Sequence, residues 1–340
     1  MFFAHRDSFS LLKWSPHRHI LGAVGTRGQF SVYDPRRSAR LCWYNGQEGA
    51  ASARLLCLSW NPAPPSAQEE LVAFGGQAGV VEVWNVRSGH RVCTYTGHSP
   101  EGADGSAHPF GHRYAISALA WSDDGALLAS AGDDLRVHIW RPISGEVWSM
   151  ADRVPLRAGC FLAWLNPRTL ISSSLNCVYI WDALSGQVLR EIQTPLSWDL
   201  PNAYALAPNR RHLAIASGCS VRLYDLRTGE QAGQYAPTNR FGPALSSFDF
   251  PSLVVWHPDG RRLATCFAGE SNRLFLWSAR AKQTLQIYQH FADITCLDWS
   301  ADGKTLAWGG DGYVATAALG RATPPLLPTP PSSSPPSRRA

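Results

Sequence analysis

One arrangement of apolar and polar positions recurs along the chain. An apolar run ends on an anchor residue, a short polar turn follows, and a second apolar run returns, as in "ALAWSDDGALLAS". The same order is found in "SLLKWSPHRHILGA", "CLSWNPAPP", "FLAWLNPRTLISS", "YALAPNRRHLAIA", "LVVWHPDGRRLAT" and "CLDWSADGKTLAW". The anchors are Trp14, Trp60, Trp121, Trp164, Leu206, Trp256 and Trp299, spaced by 46, 61, 43, 42, 50 and 43 residues. Seven copies of a unit with a base period near 42 residues, some carrying insertions, mark a repeat architecture.

A second series follows each anchor: "QFSVYD", "VVEVWN", "RVHIWR", "CVYIWD", "SVRLYD" and "RLFLWS". It sets Tyr33, Trp84, Trp140, Trp181, Tyr224 and Trp277 near the ends of β-branched runs, which pack well on a pleated surface and read as strands. The seventh copy, "GYVATAAL", keeps the strand without the aromatic. "SDDG", "HPDG" and "SADG" place Gly where a tight turn needs positive φ. A second turn follows the aromatic in "VRSGH", "PISGE", "ALSGQ" and "LRTGE". Each copy therefore predicts four short antiparallel strands with little room for helix. Two before the anchor stand Leu12, Leu58, Leu119, Leu162, Tyr204, Val254 and Leu297; one before stand Lys13, Ser59, Ala120, Ala163, Ala205, Val255 and Asp298. Strand alternation puts these on opposite faces, one large and apolar, the other mostly small. Sheets stacked radially about an axis would cover both.

These residues resemble the WD40-repeat family of β-propellers, over about residues 1–320. The third copy carries Gly111-His112, Ser130, Asp134 and Trp140 where that family's unit has its Gly-His, Ser/Thr, Asp and closing Trp, with Arg141 in place of the usual Asp. His5, His112 and His290 each lie nine residues before an anchor. The resemblance implies an all-β, seven-bladed β-propeller of four-stranded antiparallel blades. It also implies a structural network Trp140–Ser130–His112–Asp134. The other copies depart from it, with Arg27, Ala78, Leu175, Gly218 and Ser271 in the Asp slot and Asp311 retained in the seventh. "FFAHRDSFSLLKWS" aligns with "IYQHFADITCLDWS", so the residues before His5 are expected to complete the seventh blade and close the ring. The propeller is assigned to residues 1–321, and the Pro/Ser-rich 322–340 to a disordered tail with PxxP-like spacing.

Paired carboxylates Asp123-Asp124 and Asp133-Asp134, with His138 nearby, raise acid/base or metal chemistry as an alternative to turn formation. The repeat frame favours turns, and His138 alternates with Val137 and Ile139 on a strand. No G-x-S-x-G, H-E-x-x-H, Walker loop or G-x-G-x-x-G is present, so no catalytic residue, metal ligand or cofactor is expected. Innermost strands carry almost no chemistry-bearing side chains, Lys13 and Asp298 being the exceptions. The net charge of +5 is modest, and its 28 Arg against 3 Lys are scattered rather than striped, so nucleic acid is not the expected partner. No 20-residue apolar run and no signal-peptide pattern is found. The eight cysteines form no C-x-x-C pair and fit reduced thiols in a cytoplasmic protein.

The expected function is that of a non-catalytic scaffold, a monomeric propeller within a complex, binding one or more proteins or peptides on its top face. A propeller enzyme or small-ligand binder using the channel is the alternative, and an RNA-associated propeller the second. Insertions at 97–113, 194–202 and 236–252 open on that face by the family's frame, and 61–70 on the opposite one. Phe110, Trp198, Arg240, Phe241, Phe248 and Phe250 in them form the candidate partner patch. Aromatic anchors typify interface hot spots. The alternative is that they pack down on the blade rims.

Overall fold

A computed structural model describes residues 2–4, 8–37, 39–44, 54–64, 69–96, 114–151, 161–174, 177–194, 203–217, 220–236, 250–268, 273–289, 293–310 and 313–318. The described segments form seven four-stranded antiparallel sheets and no helix. Sheets follow one another along the chain, so each repeat is one blade. In blade 3 the strands run Ile116–Trp121, Leu128–Gly132, Val137–Trp140 and Val147–Ala151, from innermost to outer. Innermost strands of the other blades are Phe9–Trp14, Leu55–Trp60, Leu162–Asn166, Ala203–Leu206, Phe250–Trp256 and Ile294–Trp299.

Blade 7 is completed from the other end of the chain. Phe2–Ala4 pairs antiparallel with Tyr313–Ala318, in register Phe2↔Ala315, Phe3↔Val314 and Ala4↔Tyr313. The ring closes as the N-terminal alignment predicts.

The turns are made as expected. Gly125, Gly260 and Gly303 have φ of 66°, 66° and 67°, a region that costs a side-chain-bearing residue about 1–2 kcal/mol. A Cβ on Gly125 would lie 2.1 Å from Asn61 Oδ1 of blade 2, so this glycine also permits a close approach between blades. Alternation of the antiparallel strands puts two turns of each blade, innermost-to-second and third-to-outer, at one end of the ring. This is called the turn end below. The second-to-third turns and the links between blades lie at the connection end.

The core sits between blades. Leu119, Trp121, Leu128 and Trp140 of blade 3 pack with Cys57, Ala73, Val81, Val83 and Tyr95 of blade 2. The opposite face of blade 3 joins Leu162, Trp164, Leu170 and Trp181 of blade 4. Residues two before the anchors are buried except Tyr204, which is half-buried. Those one before are half-buried, apart from buried Ala120 and exposed Lys13.

Candidate interaction surface

Anchor tryptophans do more than fill space. Trp60 Nε1 donates to Lys13 O at 2.9 Å, Trp121 Nε1 to Ser59 O at 3.1 Å, Trp164 Nε1 to Ala120 O at 3.0 Å and Trp256 Nε1 to Ala205 O at 3.1 Å. Each indole reaches the carbonyl just before the anchor of the preceding blade. Trp14 and Trp299 lie edge-on to His19 and His257 instead, and their indole nitrogens have no hydrogen-bond partner among the described residues. At the closing seam the carboxylate of Asp298 accepts from Trp14 N at 2.8 Å, with Lys13 Nζ 3.7 Å away. Burial pushes the Asp298 carboxyl up, against the pull of Lys13.

The next residue after the anchor reaches the other way, toward the following blade. Ser15 Oγ donates to Glu70 Oε1 at 2.7 Å, Asn61 Nδ2 to Gly125 O at 3.4 Å, and His257 Nε2 bonds Gly303 O at 2.8 Å. Blade 5 lacks the indole. There Arg210 occupies the position of the turn glycine, at φ 54°. It donates through Nη1 to Trp164 O at 3.0 Å and through Nη2 to Asp123, so it ties blade 5 to blades 4 and 3.

The four paired aspartates are therefore engaged. Asp123 meets Arg210. Asp124 Oδ1 accepts from Ser122 Oγ at 2.6 Å and Ala126 N at 3.0 Å, which holds its carboxyl below the usual range. Asp134 Oδ1 accepts from Arg136 N at 3.2 Å. Asp133 donates its backbone N–H to Ala115 O, and its carboxyl is raised by burial and by Asp134.

Of the network implied by the family, Trp140 Nε1 donates to Ser130 Oγ at 3.2 Å with both residues buried. Its His112 lies outside the described residues. A partner not anticipated from the sequence is Tyr95 of blade 2. It stacks on Trp140 at 4.3 Å, and its hydroxyl shares a 2.6 Å hydrogen bond with His138 Nδ1. His138 Nε2 is 4.0 Å from Asp134 Oδ2. Burial first, then the charge of Asp134, pushes the Tyr95 hydroxyl up to about 12, so the phenol keeps its proton at neutral pH. Blade 6 repeats the indole bond, Trp277 Nε1 to Thr265 Oγ1 at 2.6 Å.

The aspartate after the third-strand aromatic builds the outer turns. Asp182 Oδ1 accepts from Leu184 N and Ser185 N, and Oδ2 from Arg168 Nε at 2.7 Å. Asp225 repeats this with Arg227 N, Thr228 N and Arg211 Nε. The Ser185 amide and then Arg168 lower the Asp182 carboxyl to about 2, and Arg211 does the same for Asp225.

Of the predicted partner residues, Phe110, Trp198, Arg240, Phe241 and Phe248 lie outside the described residues, as does the 322–340 tail. Phe250 needs correction: it opens the innermost strand of blade 6, paired with Ala268, rather than lying in the preceding connection. The ladder resumes beyond an irregularity between Pro251 and Leu253, where a proline without an N–H is tolerated, so Pro251 pairs with Phe267 and Phe250 with Ala268. Among the described residues no group of three or more His, Cys, Asp or Glu is placed to hold a metal. Cys42, Cys57, Cys93, Cys177, Cys266 and Cys296 are free thiols, and burial pushes Cys266 and Cys296 up to about 12.

A surface missed in the sequence lies on blades 3 and 4. Three residues after the third-strand aromatic stand Arg36, Arg87, Arg227 and Arg280 in blades 1, 2, 5 and 6, but Ile143 and Leu184 in blades 3 and 4. Ile143 is 83% exposed and Leu184 54%. The aligned turn position carried this signal.

The "WD domain, G-beta repeat" family model matches residues 106–141, 248–278 and 281–315, which fall on blades 3, 6 and 7. The chain is similar to the B-type cell cycle switch protein ccs52B of Medicago truncatula, 25% identical over 58% of this chain and 38% of the relative. It is similar to the WD repeat-containing protein slp1 of Schizosaccharomyces pombe, 30% identical over 38% of this chain and 22% of the relative. The target of rapamycin complex subunit wat1 of the same yeast is 29% identical over 44% of this chain and 45% of its own length. The chain spans less than two thirds of the length of these relatives.

Proposed function

With WD40 repeats matched in it and seven blades formed, the chain is a WD40-repeat β-propeller, and we propose that it is a non-catalytic platform on which other proteins assemble. The observation that carries this is how its polar groups are used. Asp123, Asp124, Asp134, Asp182, Asp225 and His257 all hold turns or join blades. What the ring offers outward is rigid turns on a stitched frame. Preorganised surfaces of this kind bind without a large ordering cost. The relative wat1 is by its name a subunit of a complex, which supports a partner-bound role here.

In this reading the top-face patch of Phe110, Trp198, Arg240, Phe241 and Phe248 contacts the partner, and the protein works in the cytoplasm as one propeller within a complex. Free thiols at six of its cysteines support a reducing compartment.

The test is retrieval of partners from source cytosol by the full chain, beside a Trp198→Ala/Phe241→Ala variant of unchanged fold, with metal analysis of the eluate. A stoichiometric protein retained by the chain and lost by the variant supports platform and patch together. A partner retained by both removes the patch and keeps the platform. A tightly held metal or small ligand with no protein overturns the platform and turns attention to Lys13 and Asp298. RNA retained with steep salt dependence overturns it in favour of nucleic acid.

A further inference from the structure

The seams of the ring are not fastened alike along the channel. At four of them the anchor indole bonds a carbonyl of the preceding blade, and His257 joins blade 6 to Gly303 of blade 7. At the closing seam Trp14 N donates to Asp298 and Thr295 Oγ1 to Phe9 O, so the innermost strands bond each other directly. Phe9, Leu12, Trp14 and Cys296 are buried there together. The seam of blades 4 and 5 differs. Leu206 brings no indole, and the innermost strands Leu162–Asn166 and Ala203–Leu206 approach each other less than any other neighbouring pair. All four residues of Ala203–Leu206 are half-buried, whereas each of the other six innermost strands has at least one buried residue.

Apolar packing at this seam lies farther out. Ile171, Ile180 and Ile192 of blade 4 meet Leu213, Ile215 and Tyr224 of blade 5, all on second, third or outer strands. Phe161, Ala163 and Leu206 border that cluster and are half-buried. Ile215 holds the second-strand place that Ser130 and Thr265 hold in blades 3 and 6, and the buried Tyr224 hydroxyl has no partner among the described residues. The seam is thus a wedge, shut at the rim and thin at the channel. Three links cross its thin side. Phe161 stacks on Tyr204 at 5.9 Å, Tyr204 Oη donates to Ser174 O at 3.2 Å at the connection end, and Arg210 bonds Trp164 O and Asp123 at the turn end.

We propose that the ring opens at this seam and not where the chain ends meet. The innermost strand of blade 5 parts from blade 4 along the channel, the outer apolar layer acts as the hinge, and Arg210 is the latch. Segments with few buried apolar contacts are the ones that open below the free energy of global unfolding. Opening lets solvent from the channel reach Ile171 and Ile215 and leaves Phe2–Ala4 paired in blade 7. The latch is sensitive to salt, because the Arg210 and Asp123 side chains are 35% and 51% exposed. This device is independent of which partners the ring binds.

Pulse labelling of thiols on the full chain, read site by site by mass spectrometry, tests it. Native cysteines report three other seams. Cys57 Sγ donates to Ile116 O between blades 2 and 3, Cys266 packs between blades 6 and 7, and Cys296 packs at the closing seam. Ile215→Cys adds a reporter between blades 4 and 5, at a position 2% exposed. Each rate is divided by the rate of the same thiol in urea, so intrinsic reactivity cancels. The Ile215→Cys thiol is expected to label about tenfold faster than the other three. Adding Arg210→Ala removes the bridge but, unlike glycine, keeps the strain of the turn; it raises that rate about fivefold and leaves Cys296 unchanged. Raising NaCl from about 0.05 to 0.5 M speeds labelling where Arg210 is present and not where it is replaced. Ile171→Cys reads the same seam from blade 4 and gives the same decision should Ile215→Cys fail to fold. Equal rates at all four seams, the mark of global unfolding, overturn the proposal. Fastest labelling at Cys296 does so too, since it assigns the opening to the chain ends. So does a seam thiol indifferent to Arg210→Ala, or to salt while Arg210 is present.

Discussion

The seam between blades 3 and 4 and the seam between blades 4 and 5 solve one problem by different means. At the first, the Trp164 indole is buried and bonded to Ala120 O, with Trp181 packed behind it. At the second, half-buried Leu206 stands in the anchor position, and the innermost strands touch less than at any other seam. Blade 5 is held there by an apolar cluster including Ile171, Leu213 and Ile215, by Phe161 stacked on Tyr204, and by the arginine that spans two blades. Where an indole supplies packing and a hydrogen bond together, the turn beside it has no need to reach another blade: blade 4 turns through Pro167 and Arg168, and that arginine bonds Asp182 of its own blade. Where it is missing, the turn takes a long polar side chain and tolerates an unfavourable backbone angle.

The largest test of this contrast is Trp164→Ala. It empties a buried site and strands a carbonyl, and is expected to cost about 3–5 kcal/mol in urea unfolding, while Leu206→Ala costs about 1–2. A cost at Leu206 equal to that at Trp164 would erase the distinction. Trp164→Phe keeps the ring but removes the N–H from Ala120 O, for an expected loss of about 1–3 kcal/mol. The two turn positions give the next comparison. Gly125→Ala forces a Cβ against Asn61 at positive φ and is expected to cost about 1–3 kcal/mol, whereas Arg210→Gly relieves strain while losing its bridge and stays within about 1 kcal/mol of the parent. A loss of several kcal/mol on Arg210→Gly would make the bridge, rather than the apolar cluster, the main fastening of that seam.

The smallest effect is acid sensitivity of the outer turns in blades 4 and 5. Asp182 and Asp225 titrate at about 2 in the folded chain against 3.8 when unperturbed. Depressed carboxyls contribute stability that is complete above the unfolded value and fades as pH falls from about 4 toward 2. Asp182→Asn/Asp225→Asn is expected to flatten stability in that window and leave its slope above pH 5 unchanged. An unaltered acid profile would show that the turn amides and arginines around these carboxylates contribute little.

Seven copies were legible because the repeat restates the same local rules: apolar run, anchor, glycine turn, β-branched run. The closing strand was legible for a related reason, since Phe2–Ala4 precedes His5 just as an outer strand precedes each later copy. Bonds between blades were not. Nothing in the composition of "PNRR" says that Arg210 passes blade 4 to reach Asp123, because that pairing depends on how tightly the ring curves. Tyr95 meeting His138 is hidden for the same reason. The exposed Ile143 and Leu184 were readable, but only by aligning one turn position across blades and asking where arginine gives way to isoleucine and leucine. The partner patch on the connections rests on aromatic side chains and Arg240 in insertions that the family's frame puts on the top face. Insertions outside the repeat offer no periodic frame in which to place such residues.

The three-residue closing strand also sets a timetable. Phe2–Ala4 finds its partner only once residues 313–315 have been made. At about 5–20 residues per second of synthesis, those residues wait some tens of seconds with their edge unpaired while six blades assemble behind them. Blades on the growing chain can form in order, but the circle is the last object to exist, and bringing its ends together costs entropy that no earlier blade has met. Any added sequence abutting Phe2 therefore intrudes on the final step of assembly and leaves the earlier ones untouched.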